Sequence, residues 1–382
     1  MNINDNNKAG VSRQLAFNPS IINNRGMLKL SETDKDIDIS NILTPAEVLT
    51  PWAANHDDSP RTAMLTGQSK HIISVAKTDK LLVGNGGQKA LPHMISGEFV
   101  HQAKQDGKVV KRDPKTELMI VQYKDGSYDT VDLGPHIAKN GGGGFFISNN
   151  KISDLKEGDK FKQGQIIARN DQYFKGGLDD TEYAVGNLTK VAIHSGYYTF
   201  EDASICTENF CNEMTSYITM KKDVVLGAKT NIDQMAQIGQ KVKTGDPLLV
   251  FEQAFDEDDA NDLLAKLGDE LGDEITKMSK NYVKSKYTGV VEDIKIYYTV
   301  PESQLSPSLR KVIKDYNTRI KAKQDLIKSF YGEKESNLII PPCEQVEAPN
   351  GKVKGVEVGD GVLIEFYVKY EDVLGIGKFI AA

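Results

Sequence analysis

The sequence predicts a mainly β chain with inserted helices, an α+β arrangement, and three observations carry that reading. From Gly67 to about residue 250, short β-branched or aromatic runs alternate with glycine and aspartate turns, the mark of strands joined by tight connections. A glycine-hairpin motif occurs twice. Two longer stretches, Asp256 to Lys286 and Pro307 to Phe330, space their apolar residues at helical intervals instead.

Residues 1 to 40 are rich in Asn and Asp with little periodicity, which reads as a mobile arm or a segment ordered by a partner. Thr44-Pro45-Ala46-Glu47 then has the form of a capping box, and Ser59-Pro60 opens a second helix in the same way. Strands are expected at Ile72–Val75, Leu81–Val83, Leu118–Val121 and Tyr128–Val131. The repeated motif runs from Glu157 through Gly158 and Gly164 to Ile167, and from Ile238 through Gly239 and Gly245 to Leu249: glycine turn, strand, second turn. In the first helical stretch Leu263, Leu264, Leu267 and Leu271 share a face. In the second, Leu309, Val312, Ile313, Tyr316, Ile320 and Leu326 make one narrow stripe, as in a projecting hairpin or coiled-coil arm. The chain returns to strand at Val362–Lys369.

A length of 382 residues with ordinary apolar content can bury a core. The net charge of −7 lowers the expectation of a free-standing nucleic-acid binder, although acid concentrates around Asp256–Asp259 and Asp269–Glu274 while Lys311–Lys328 is basic. Three cysteines, Cys206, Cys211 and Cys343, are too few and wrongly spaced for paired zinc ligands and fit a reducing compartment. With no apolar run of membrane-spanning length and no apolar core near the amino terminus, no membrane partner and a cytoplasmic location are expected.

Candidate chemistry falls in three clusters. Gly196 to Ala203 places adjacent acids, Glu201 and Asp202, between strand-like segments, the apolar run Val191–Ile193 before them and Ile205 after. Side chains alternate along a strand, so the two acids address one ion only if the backbone leaves strand geometry, which Gly196 permits. A solvated turn is the plain alternative. In the second cluster, Arg61 lies in the first turn of the helix opening at Ser59, where free N–H groups and the helix dipole favour an anion such as a triphosphate. Gln68 shares its face; a pairing of Arg61 with Asp57 or Asp58 is the alternative. The third cluster is Lys369, on a strand whose face also carries Tyr367, with Lys378 after the Gly375-Ile376-Gly377 turn; two exposed lysines are the default. Gly84–Gly87 and Gly141–Gly144 lack the Gly-Lys-Ser/Thr of a phosphate loop, and the six histidines show no metal-ligand spacing.

Taken in order, these clusters resemble the β subunit of multisubunit DNA-dependent RNA polymerases. Thr50-Pro51-Trp52 through His56-Asp57-Asp58 and Arg61-Thr62-Ala63-Met64 is similar to the family's His-Asp-Asp-Ala-Asn-Arg-Ala-Leu-Met helix, and Leu81-Leu82-Val83-Gly84 to its Pro-Leu-Val-Gly. Gly186-Asn187-Leu188 through Gly196-Tyr197-Tyr198-Thr199-Phe200-Glu201-Asp202 resembles Gly-Gln-Asn…Gly-Tyr-Asn-Phe-Glu-Asp, and Lys369 and Lys378 resemble two active-centre lysines. The resemblance implies that Arg61 contacts nucleotide phosphates, and that Gln68 and His71 lie near the RNA–DNA hybrid. Glu201 and Asp202 would assist a second Mg²⁺ through water, its primary site being on a β′ partner. Lys369 and Lys378 would meet the RNA 3′ end or the initiating nucleotide.

The implied organisation is an arm (1–40), a hybrid-binding and double-psi β-barrel region (41–222), a flap-like module (223–300), a helical arm (301–345) and return strands (346–382). The barrel would be completed by another chain. Implied partners are other β fragments, β′ fragments, the DNA template, RNA and an initiation factor at the flap. The amino-terminal lobes, the Gly-Arg-His-Gly-Asn-Lys-Gly segment and the Asp-Phe-Asp-Gly-Asp loop have no counterpart, so the chain alone is expected to be inactive. It reads as a central fragment of a split β of the large-bacteriophage kind, acting in the host cytoplasm or packaged in the virion. The competing readings are a carrier-like interaction module built on the two hairpin repeats, and a structural protein that keeps the fold without catalysis.

Overall fold

The computed structural model describes residues 43–50, 64, 66–69, 75–95, 97, 99–139, 145–193, 204–252, 280–332 and 334–375. Contacts divide the chain into two units, Met1–Tyr217 with Asp372–Ala382, and Ile218–Glu371. Both are built mainly of strands, as expected, with few helices.

In the first unit, helix α1 (Pro45–Leu49) starts at the predicted capping box: the Glu47 N–H donates to Thr44 Oγ1 at 3.3 Å and the Thr44 N–H to Glu47 Oε2 at 2.7 Å. It is short, five residues. After helix α2 (Gly87–Ala90) come β1 (Val100–Gln102), β2 (Gly107–Asp113), β3 (Leu118–Tyr123), β4 (Tyr128–Asp132), β5 (His136–Lys139), β6 (Phe146–Asn149), β7 (Lys151–Ile152), β8 (Lys160–Phe161), β9 (Ile166–Asn170), β10 (Phe174–Lys175) and β11 (Glu182–Tyr183). Strands β4, β3, β2 and β8 form one antiparallel sheet in that order, and β1, β9 and β7 a second. Their shared core is Val109, Met119, Val121, Val131, Leu155, Phe161 and Ile167. Leu118 to Val121 are all buried, so β3 is covered on both faces. Helix α3 (Glu208–Glu213) is capped by Thr207.

In the second unit, β12 (Ser216–Gly227), which begins just before its boundary, lies beside β20 (Gly361–Asp372), and the order continues to β17 (Gly289–Tyr298) and β14 (Lys241–Val242). A separate antiparallel sheet joins β13 (Asn231–Met235), β15 (Pro247–Glu252) and β16 (Lys280–Lys284); β18 (Lys352–Val353) and β19 (Val356–Glu357) make a small ladder. Helix α4 (Pro307–Tyr331) opens at Ser306, whose Oγ accepts from the Leu309 N–H at 3.2 Å. The first half of the predicted stripe is its packed face: Leu309 and Ile313 are fully buried in the core with Ile294, Ile296, Ile364 and Phe366, and Val312 and Tyr316 pack against it, while toward the far end the buried residue is Ile327, outside the stripe. Asn317 fixes the returning chain by bonding both the N–H and the carbonyl of Cys343. Cys343 is a buried free thiol, its Sγ donating to the Ile296 carbonyl while burial, with Glu302 and Glu344, pushes it up to about 12.

The repeated motif is the same object in both units. In each turn the i+3 N–H donates to the carbonyl of residue i, and the N–H of residue i donates to the i+3 side chain: Lys156 with Asp159, Lys162 with Gln165, Gln237 with Gln240, Lys243 with Asp246. Gly158, Gly164, Gly239 and Gly245 sit at i+2 with φ of +95°, +84°, +85° and +92°. Each turn also exchanges two backbone hydrogen bonds with one residue in a strand or just after it, Val109 and Ala103 in the first copy, Val291 and Ser285 in the second. The partner segment precedes the turns in the first copy and follows them in the second, so the chain order is permuted.

Three expectations are corrected. Leu81–Val83 is not a strand but an exposed bend, since among the described residues no neighbouring backbone pairs with it. Val191–Ile193 is likewise outside any ladder and exposed. Lys280–Lys284 is strand rather than the end of a helix: Asn281-Tyr282-Val283 suits a pleated surface and pairs with Phe251, Val250 and Leu249. The helices expected from Ser59 and over 256–279 lie wholly or largely outside the described residues.

Candidate functional site

Of the residues singled out from sequence, Arg61, His71, Glu201, Asp202 and Lys378 lie outside the described residues. Gln68 is exposed on a helical stretch, residues 66–69, of the first unit. Lys369 lies on β20 in the second unit, and the site can be built outward from it.

Alternation along β20 sends Val362, Ile364, Phe366 and Val368 into the core and Leu363, Glu365, Tyr367 and Lys369 to the opposite face. Opposite them on β17, Val290 pairs with Lys369, Asp293 with Tyr367, Lys295 with Glu365 and Tyr297 with Leu363. The register slips between Val291 and Asp293, so Glu292 is the extra residue of a β-bulge. That one insertion keeps both Val291 and Ile294 in the core and turns Glu292 and Asp293 together onto the Lys369 face. Glu292 Oε1 lies 3.5 Å from Lys369 Nζ, and Thr219 Oγ1 donates to Glu292 Oε2 at 3.3 Å.

Beside this pair is a buried carboxylate. Glu365 is 1% exposed and accepts from Lys221 Nζ at 2.6 Å and from the Tyr367 hydroxyl at 2.9 Å, with Lys354 Nζ at 3.7 Å. Burial raises this carboxyl, but the Lys221 hydrogen bond, the Lys354 charge and the Tyr367 hydroxyl outweigh it and hold it below its ordinary value. Burial likewise lowers Lys221, yet Glu365 and Asp223 hold it above its usual value. Asp293 is the exception: desolvation dominates and its carboxyl is raised despite Lys295. Lys295 and Lys354 lie over the rings of Tyr367 and Tyr297, at 5.1 and 4.2 Å from the ring centres.

Lysines 221, 295, 354 and 369 therefore face Asp223, Glu292, Asp293 and Glu365, a balanced network and not a basic patch. Chemically, it fixes the Lys369 ammonium in direction. The carboxylate that holds Lys369 is one a phosphate oxygen can replace, since both are charged acceptors.

Sequence reading missed Glu292, Thr219 and the Lys221–Glu365 pair beside Tyr367. Glu365 carried a signal, an acid inside the apolar run Val362 to Val368, which has to find a partner when buried. Glu292 carried none, because only strand pairing reveals a bulge. Among the described residues no group of three or more His, Cys, Asp or Glu is placed to hold a metal ion, and no helix is long and apolar enough to cross a membrane.

No family model matches the chain. It is 24% identical over 308 residues to the DNA-directed RNA polymerase subunit beta of Acetivibrio thermocellus, covering 74% of this chain and 23% of that one. With the same subunit of Latilactobacillus sakei the identity is 23% over 346 residues, 83% of this chain and 28% of that one. For Levilactobacillus brevis it is 24% over 372 residues, 88% and 30%. Through most of its length the chain is thus a region similar to bacterial RNA polymerase β subunits, and it spans about a quarter of the length of those relatives.

Proposed function

We propose that the chain is a central part of the β component of a multisubunit DNA-dependent RNA polymerase, inactive without its partner chains. One observation carries this: similarity to bacterial β subunits extends over 74 to 88% of the chain, far beyond any single motif. The mainly β fold agrees with it. In this reading Arg61 holds nucleotide phosphates, Gln68 and His71 lie along the RNA–DNA hybrid, and Lys369 and Lys378 hold the RNA 3′ end. Glu201 and Asp202 assist a second Mg²⁺ whose primary partner site is on β′. These are positioning and electrostatic roles, which is most of what phosphoryl transfer asks of a protein. The double-psi barrel, the flap over 223–300 as a seat for an initiation factor, and a β divided among several bacteriophage polypeptides belong to the same proposal.

The test is to purify the chain with its native partners, identify them by mass, and assay promoter-independent RNA synthesis. Arg61→Ala and the double variant Glu201→Ala/Asp202→Ala should each lower synthesis about 100-fold, the scale of one lost transition-state contact. Assembly with the partners should be unchanged. Unaltered synthesis in both variants would sink the site assignment, and partners carrying no β′-like chain would sink the polymerase.

A further inference from the structure

Two of the three cysteines, Cys206 and Cys211, lie at the start of helix α3 in the first unit. Thr207 is the cap: its Oγ1 accepts from the Phe210 N–H at 3.3 Å, and its carbonyl accepts from the Cys211 N–H at 3.0 Å. Cys206 therefore precedes the cap and Cys211 is the fourth helical residue. Those are the positions whose side chains fold onto each other across a capped first turn, where two apolar residues usually meet. Here both are thiols. They interact: burial first, then the charge and the hydrogen bond of Cys211, hold the Cys206 thiol above its ordinary value.

Both thiols are partly exposed, whereas Cys343 is buried in the second unit. A small disulfide in solution can reach the pair and not Cys343. Because the cap already holds the two side chains together, closing them into a ring costs little further chain entropy. Disulfides of a reducing compartment are mostly transient and serve sensing or catalysis.

We propose that Cys206 and Cys211 are a redox-responsive pair, closing to a local disulfide when a low-molecular-weight disulfide such as oxidised glutathione accumulates. One cysteine, as thiolate, attacks a glutathione sulfur; the glutathione S–S bond breaks and one glutathione leaves, taking up the proton that the cysteine released. The second cysteine, as thiolate, attacks the cysteine sulfur of that mixed disulfide and expels the other glutathione in the same way. The pair loses two electrons and two protons, and glutathione disulfide is reduced to two thiols. Closure draws the sulfurs to about 2.05 Å and pulls Cys206 toward the helix. Cys206 follows Asp202 by four residues. In the polymerase reading, on which this step alone rests, the pull displaces the acid pair and lowers RNA synthesis reversibly.

The purified full chain is equilibrated in glutathione buffers of rising oxidised fraction, quenched in acid, alkylated under denaturing conditions and mapped by mass spectrometry. Oxidation should remove two hydrogens, leave Cys343 as the one alkylated cysteine and yield a linked Cys206–Cys211 peptide, all reversed by dithiothreitol. In urea that unfolds the chain, half-oxidation should need about tenfold more oxidised glutathione, because the cap no longer holds the pair together. Thr207→Ala should shift the midpoint the same way by a smaller factor. Bridges to Cys343, stable glutathione adducts on the parent pair, or an unchanged midpoint in urea overturn the proposal. The assembly with its native partners is then assayed reduced, oxidised and re-reduced. Synthesis should fall about tenfold on oxidation and return on reduction, the scale of a displacement near 1 Å at a reacting centre, and Cys206→Ser/Cys211→Ser should be insensitive. A bridge that forms without changing synthesis overturns the control, whereas no synthesis by the reduced parent overturns the polymerase reading and leaves the bridge standing.

Discussion

Glu292 Oε1 lies 3.5 Å from Lys369 Nζ because Glu292 is the extra residue of a bulge in β17. The pair is set by strand register, with Thr219 bracing the carboxylate from β12. Glu292 is 10% exposed and Lys369 26%, so neither charge is freely solvated.

Lys369→Ala therefore takes away the cation 3.5 Å from a mostly buried carboxylate, and should destabilise the chain by about 1–3 kcal/mol. Glu292→Gln keeps the Thr219 hydrogen bond and should cost less. In a double-mutant cycle by urea denaturation the double variant should recover part of the Lys369→Ala loss, with a coupling of about 0.5–3 kcal/mol. Strict additivity would mean that the pair carries no interaction energy.

Glu365 tests the buried network. Glu365→Ala takes the buried carboxylate from Lys221, which keeps only Asp223, leaves a cavity, and should cost about 3–5 kcal/mol. Glu365→Gln preserves volume and keeps an acceptor for Tyr367, so its cost should be clearly smaller. Lys221→Met with Glu365→Leu removes both charges but leaves Asp223 without Lys221, so it should cost less than Glu365→Ala without being neutral. Equal losses from Gln and Ala would show that shape, and not the ionic network, matters at this position.

How much of this was legible in sequence follows the range of the interactions. The capping box at Thr44 and the four glycine turns are local, set by residues three apart, and each appears where the residues placed it. Leu118–Val121, Tyr128–Val131 and Val362–Lys369 are strands because apolar residues there have paired neighbours. Leu81–Val83 and Val191–Ile193 have the same composition and no strand beside them among the described residues, a difference no local pattern encodes. The site divides in the same way. Lys369 was readable as a strand residue, and Glu365 as an acid in need of a partner. Glu292 was not, since its place depends on a slip between two strands far apart in the chain, β17 and β20.

Asp129 gives a pH prediction in the first unit. It is 1% exposed, and its Oδ2 accepts from His101 Nε2 at 3.2 Å, Lys104 Nζ at 3.0 Å and the Tyr123 hydroxyl at 3.0 Å. Burial by itself raises this carboxyl; the His101 and Lys104 hydrogen bonds and charges outweigh it and hold the group at about 2, against an ordinary 3.8. A depressed carboxylate stabilises the fold above its unfolded value and loses that contribution as pH falls through the folded one. The stabilisation of about 2 kcal/mol should thus be complete above pH 3.8 and gone near pH 2. Asp129→Asn should be less stable than the parent at pH 6 by about that amount. The urea-denaturation curves of the two should converge as pH is lowered toward 2. A gap that does not change with pH would remove the carboxylate from the account.

Two glycines separate conformational cost from collision. Gly239 has φ of +85°, and a Cβ added to it would meet nothing within 4 Å among the described residues, so Gly239→Ala costs only the left-handed backbone, about 1–2 kcal/mol. Gly239→Asn should cost less, because Asn tolerates that region. Gly289 is different: a Cβ there would stand 2.1 Å from the Lys369 carbonyl oxygen, and backbone cannot swing aside as a side chain can. Gly289→Ala must push β17 away from β20 at the pair Gly289 with Tyr370, three residues before the Glu292 bulge. Its cost should exceed that of Gly239→Ala, and no residue choice should rescue it. Amide shifts around Lys369 and Glu292 should move in Gly289→Ala and stay in place in Gly239→Ala. If Gly289→Ala leaves those amides untouched, the register of β17 on β20 does not hold Lys369 in place, and the bulge loses its role in aiming Glu292.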